Sequence, residues 1–138
     1  MTRSSNSERE ASVEARLPLT PAVFHILLAL AQGERHGYAI MREVAEQTGG
    51  QMRLGPGTLY GSIRRMLGDG YIEESEARPD PALDDERRRY YRLTPYGRRV
   101  AEAEAARLQA LTRAAQARGL LPGASGPHGQ PAGAGGLR

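Results

Sequence analysis

Between residues 20 and 118 the hydrophobic positions follow a helical period on either side of a short interruption. PAVFHILLALAQ is preceded by Thr20, which can cap a helix, and begins with Pro21, which suits its first position; with Gly33 as a stop, the pattern predicts a helix over about 21–32. HGYAIMREVAEQTGG then places Tyr38, Ile40, Met41, Val44 and Ala45 at near-helical spacing before Gly49 and Gly50. RLGPGTLYGSIRRMLGDGYI predicts a third helix over about 56–68, and Thr94-Pro95 repeats the capping signal ahead of a fourth over about 95–118, which Gly119 ends.

Between the third and fourth helices the period shortens. YIEESEA and RRRYYRLT are rich in Tyr and charge and flank the turn-prone RPDPALDDE, so two strands of a hairpin are predicted. Alternation puts Tyr91 and Leu93 on its inner face, Tyr90 and Arg92 on the other. Three helices, a hairpin and a further helix spell a mainly α fold with a small β-hairpin, a winged helix-turn-helix with a C-terminal dimerisation helix. The expected organisation is a disordered tail over 1–16, a winged-helix DNA-binding domain over 17–94, the dimerisation helix over 95–118, and a disordered Gly/Pro-rich tail over 119–138, which has seven Gly and three Pro in twenty residues.

The third helix has an unusual outer face. At 100° per residue, Leu59, Ile63, Met66 and Leu67 gather on one side, and Gly57, Gly61, Arg64, Arg65 and Gly68 on the other. An interior Gly costs about 0.8–1 kcal/mol of helix propensity relative to Ala, so glycines grouped on the outer face read as clearance for something large. With Arg64 and Arg65 beside them and the hydroxyls of Thr58, Tyr60 and Ser62 on the flanks, a DNA major groove fits, since Arg pairs with guanine edges and hydroxyls suit phosphates.

Charge is sorted along the hairpin too. Residues 72–86 hold seven acids and one Arg, whereas residues 87–99 hold six Arg and no acid. The second strand, with Arg87, Arg88, Arg89 and Tyr90, reads as a wing that tracks phosphate. Some of these arginines are expected to pair across the hairpin with Glu73, Glu74 and Glu76. Along the fourth helix, Val100, Ala103, Leu108, Leu111, Ala114 and Ala115 form an apolar stripe with Glu104 and Arg107 inside it, which predicts pairing with a second copy of the chain.

Composition narrows the alternatives. All nineteen basic residues are Arg, the net charge is +3, and there is no Cys, so disulfides and thiolate zinc sites are excluded. The longest apolar run, around 22–31, is too short to span a bilayer, and a cytoplasmic protein is the expectation. His25, His36 and His128 are scattered, and nothing matches a nucleophile elbow, a zincin helix or a phosphate-cradling loop, so no catalytic residue, metal site or cofactor is expected. The main alternative is a winged helix that contacts only proteins; the exposed arginine and glycine face argues against it, because a protein-docking helix would carry apolar groups there.

The motifs also have a family likeness. Gly37-Tyr38-Ala39-Ile40, then Pro56-Gly57-Thr58-Leu59-Tyr60 with Arg65 and Gly70-Tyr71-Ile72, then Arg89-Tyr90-Tyr91-Arg92-Leu93-Thr94 and Gly97, in this order and spacing, resemble the PadR family of bacterial transcriptional regulators over about residues 17–118. The resemblance implies a homodimeric repressor, with the third helix in the major groove, the wing on the backbone or minor groove, and a small aromatic or drug-like effector that releases the DNA. An inverted-repeat operator follows from two-fold symmetry. The acidic, proline-bearing wing tip, Pro79 to Glu86, departs from minor-groove insertion. With a short, single fourth helix there is no large effector domain, so an effector is expected at the dimer interface, against the first and fourth helices.

Overall fold

A computed structural model describes residues 12–75 and 89–122. After a 3-10 turn at Val13–Arg16 come α1 (Pro21–Ala31), β1 (Arg35–His36), α2 (Gly37–Gln47), α3 (Pro56–Asp69), β2 (Ile72–Ser75), β3 (Tyr90–Leu93) and α4 (Pro95–Ala117). The helix ends follow from local chemistry. Thr20 Oγ1 accepts the Val23 N–H at 3.2 Å, and Thr94 Oγ1 accepts the Gly97 N–H at 2.9 Å, each satisfying an amide that a helix leaves without a partner. α2 uses an unforeseen cap, His36, whose Nδ1 accepts the Ala39 N–H at 3.2 Å. α3 closes on Gly70 at φ 83°, a left-handed conformation in which Tyr71 N–H reaches Met66 O at 3.0 Å.

The hairpin is part of a three-stranded antiparallel sheet in the order β1-β3-β2. Ile72 faces Leu93 and Ser75 faces Tyr90 across one pair, and Arg35 faces Tyr91 across the other. β1 was not anticipated, because two residues carry no alternation. The expected inner face is real: Tyr91 is buried and Arg92 exposed.

Ile26, Leu27 and Leu30 of α1 join Ile40 and Val44 of α2 and Leu59, Ile63 and Met66 of α3 in a single core. Burying each such aliphatic chain contributes about 1.5–3 kcal/mol, so this packing fixes the angle at which α3 is presented. The start of α4 belongs to the same core. Tyr96 is 2% exposed and Val100 fully buried, and Gly97 lies against the Tyr71 carbonyl so closely that no Cβ fits there. Thr94 adds a bond from its hydroxyl to Gly70 O at 2.6 Å.

Three expectations change as a result. Val100 is enclosed by its own chain, so it cannot serve the partner stripe. The chain forms two units, one ending at Glu104 and the other beginning at Ala105, so a division at 94/95 would cut through packed residues. The N-terminal boundary also moves: Arg16 Nε donates to Tyr96 Oη at 3.0 Å, its guanidinium lies 3.6 Å from Asp69, and Val13 and Leu17 pack on the core. The remainder of both expected tails, the wing tip, Arg87 and Arg88 lie outside the described residues.

Candidate nucleic-acid interface

α3 is built as two faces, and the outer one is bare. Leu59, Ile63 and Met66 hold the inner face. Arg64 and Arg65 are exposed, and among the described residues no carboxylate pairs with either. A Cβ placed at Gly57 or Gly68 would meet nothing within 4 Å, and one at Gly61 only Arg64 Nη2 at 4.0 Å. None of the three has a positive φ. Neither the backbone nor a contact among the described residues requires glycine at these positions, which leaves this face with a low profile.

The hydroxyls expected on the flanks behave differently from one another. Thr58 is exposed. Ser62 is 6% exposed and turned to the interior, which removes it as a phosphate ligand. The Tyr60 ring is half-buried and rests on Gly37 at the start of α2, leaving no room there for a Cβ.

The wing arginines that are described carry glutamate partners. Arg92 Nε donates to Glu73 at 2.9 Å and its other nitrogen lies 3.6 Å from Glu34; Arg89 lies 3.8 Å from Glu74. The Glu73 hydrogen bond holds Arg92 above the ordinary guanidinium range, with the charge of Glu34 a smaller contribution. Such pairs are exposed and contribute little to stability. Their effect is to offset the charge of Arg89 and Arg92. Tyr90 is half-buried, its ring edge-on to His36 at 5.2 Å.

Three residues beside α3 escaped the sequence reading. Tyr38 is 54% exposed at the start of α2, and the Arg42 guanidinium lies 6.0 Å from its ring centroid. Arg53, in the turn before α3, lies over Gly50 and shares with Arg42 and Glu46 a cleft of about 360 Å³. The signal was present, since Tyr38 and Arg42 are four apart on the polar side of an amphipathic helix.

His25 Nδ1 contacts Gln47 Oε1 at 3.1 Å. Among the described residues no group of three His, Cys, Asp or Glu could hold a metal ion, and no helix is long and apolar enough to cross a membrane.

The model of the transcriptional regulator PadR-like family matches residues 26–103, from the middle of α1 through α2, α3 and the sheet into α4. The chain belongs to this family. PadR-like proteins are transcriptional regulators rather than enzymes, and the matched segment lies inside the expected 17–118. A transcriptional regulator of Mycobacterium tuberculosis is 36% identical over 89 residues, 64% of this chain and 77% of that protein. An uncharacterized 37.1 kDa protein from a Streptomyces fradiae transposon is 42% identical over 80 residues, 58% of this chain; the match spans 21% of that longer protein. In fold, this PadR-like chain is similar to Bacillus subtilis PadR, solved in complex with operator DNA, at a TM-score of 0.53 and 22% identity over 62% of this chain and 47% of that one.

Proposed function

We propose that this PadR-like regulator binds double-stranded DNA sequence-specifically as a homodimeric repressor, with α3 in the major groove of each half of an inverted repeat. The observation that carries the reading is the outer face of α3, where three glycines leave open space beside two arginines that no acid neutralises among the described residues. Arg64 and Arg65 are the base-reading candidates and Thr58 a phosphate ligand, with Gly61 at the centre of the clearing. Arg89 and Tyr90, with Arg87 and Arg88 from outside the described residues, are assigned to the wing contact. Ala103, Leu108, Leu111 and Ala115 are assigned to the partner helix. The relative solved with operator DNA has the same fold and supports this assignment by analogy. Release of DNA by a small organic effector held between copies of the chain suits a protein without Cys, in which oxidation has no thiol to act on.

The test is fluorescence anisotropy on a duplex selected from genomic fragments and on its scrambled counterpart. Arg65→Ala should lose about 1–3 kcal/mol on the selected duplex and relax preference at one base pair per half-site. Equal wild-type affinity for the two duplexes would count against sequence-specific reading.

A further inference from the structure

Arg16 lies ahead of the residues that the family model matches, yet it reaches three parts of the chain at once. Its Nε donates to Tyr96 Oη at 3.0 Å in the first turn of α4, and its Nη1 lies 3.6 Å from an oxygen of Asp69, the last residue of α3. The guanidinium also sits 5.5 Å from the ring centroid of Tyr71, just before β2. All of these residues belong to the unit that ends at Glu104.

The backbone that carries Arg16 is itself fixed. Ala15 N–H bonds Ser12 O at 3.0 Å and Leu17 N–H bonds Glu14 O at 3.2 Å, and Val13 and Leu17 fasten this turn to the core. A guanidinium suits the junction, because separate nitrogens of one planar fork meet the phenol and the carboxylate while its charge lies near aromatic rings. An ammonium is a single point charge. Tyr96 is buried, so a charged donor to its hydroxyl outweighs the part-exposed ion pair with Asp69. These contacts fall where the core has let go: Met66 is the last buried residue of α3, and Asp69 lies nearly a turn beyond it.

Resting on the proposed reading of a DNA-binding homodimer, we infer that Arg16 is a positioning residue that acts through Asp69 and Tyr96: it ties the end of α3 to the start of α4, so that both copies of α3 can engage an inverted repeat together. Arg65 stands about one turn ahead of Asp69 on α3, and the residues assigned to the partner helix lie further along α4 than Tyr96. Arg16 thus bridges the reading element and the pairing element. The gain from a second half-site depends on how stiffly the two readers are joined, because slack between them lowers the effective concentration of the second reader. Binding of one half-site needs no such stiffness.

The experiment uses the full chain, with anisotropy titrations on three duplexes: the selected inverted repeat, the same duplex with one half-site scrambled, and the fully scrambled one. Arg16→Met keeps an apolar stem and removes the guanidinium. It should lose on the order of tenfold or more on the inverted repeat and bind the other two duplexes at wild-type affinity, while circular dichroism shows it folded. Tyr96→Phe and Asp69→Asn should shift the ratio of repeat to half-site affinity in the same direction by less. Arg16→Lys should recover part of it, since one ammonium cannot serve both partners. Leu17→Ala is the control for stability, because Leu17 packs on the core from the same turn; its urea midpoint should fall and its ratio stay at the wild-type value. An equal loss on the repeat and the half-site duplex in Arg16→Met, or a wild-type ratio in both Arg16→Met and Arg16→Lys, would overturn this inference alone. A wild-type chain that binds none of the duplexes, or binds as a single copy, would overturn the homodimeric DNA-binding reading together with it.

Discussion

Among the described glycines, Gly97 has the least room for a side chain. It sits in the first turn of α4 with the Tyr71 backbone against it, and Thr94 spans the same junction from below by bonding Gly70 O and the Gly97 N–H. A methyl group there has to push a helix away from a strand rather than move a side chain. Gly97→Ala should therefore cost about 1–3 kcal/mol, read as a lower urea midpoint at unchanged m. Tyr71, beside it, is 4% exposed, and burial pushes its phenol above the ordinary range, with the Arg16 guanidinium opposing the shift. A raised native value means that the unfolded chain loses this proton first. The associated stability is intact below the ordinary pKa of about 10 and disappears as pH climbs through the higher native value. Urea midpoints measured from about pH 9 to pH 11 should fall in the wild type, and fall less in Tyr71→Phe.

At the scale of elements, α3 is a helix whose two sides answer to different demands. The inner side was legible from spacing, because Leu59, Ile63 and Met66 follow a 3.6-residue period and all three are buried. Ser62 was misplaced for a physical reason: a wheel gives direction but not depth, and a small hydroxyl next to the apolar stripe can be covered by its neighbours. Tyr60 finds Gly37, 23 positions away, a contact that no local pattern encodes. The outer side gives the sharpest prediction. Gly61→Leu should improve helix propensity by roughly 0.8 kcal/mol and raise the urea midpoint, while abolishing DNA binding by steric exclusion. A folded variant, by circular dichroism, that bound the selected duplex at wild-type affinity would show that α3 does not enter a groove by this face. The wing shows the opposite case. Its run of arginines looked like a phosphate track, yet registry sets Arg92 opposite Glu73 and brings Glu34, just ahead of β1, alongside, so part of that charge is internally compensated.

At the scale of the whole molecule, the second unit begins at Ala105, and Leu111 within it is 55% exposed. An apolar stripe left to water favours association. Light scattering at micromolar concentration should give twice the 15.0 kDa chain mass, and Leu111→Glu should return it to a single chain while weakening the two-fold DNA site. The sequence by itself determined four helices and the approximate ends of three of them, the hairpin strands, the glycine and arginine face of α3 and the family, because capping, periodicity and glycine placement act over a few residues. The tertiary structure alone decided that β1 completes the sheet, that Arg16 and the start of α4 belong to the core, that Val100 is enclosed, and which arginines keep their charge unpaired. Those outcomes depend on which distant segments meet. Burial and ion pairing are properties of the meeting surfaces and are not carried by either segment alone.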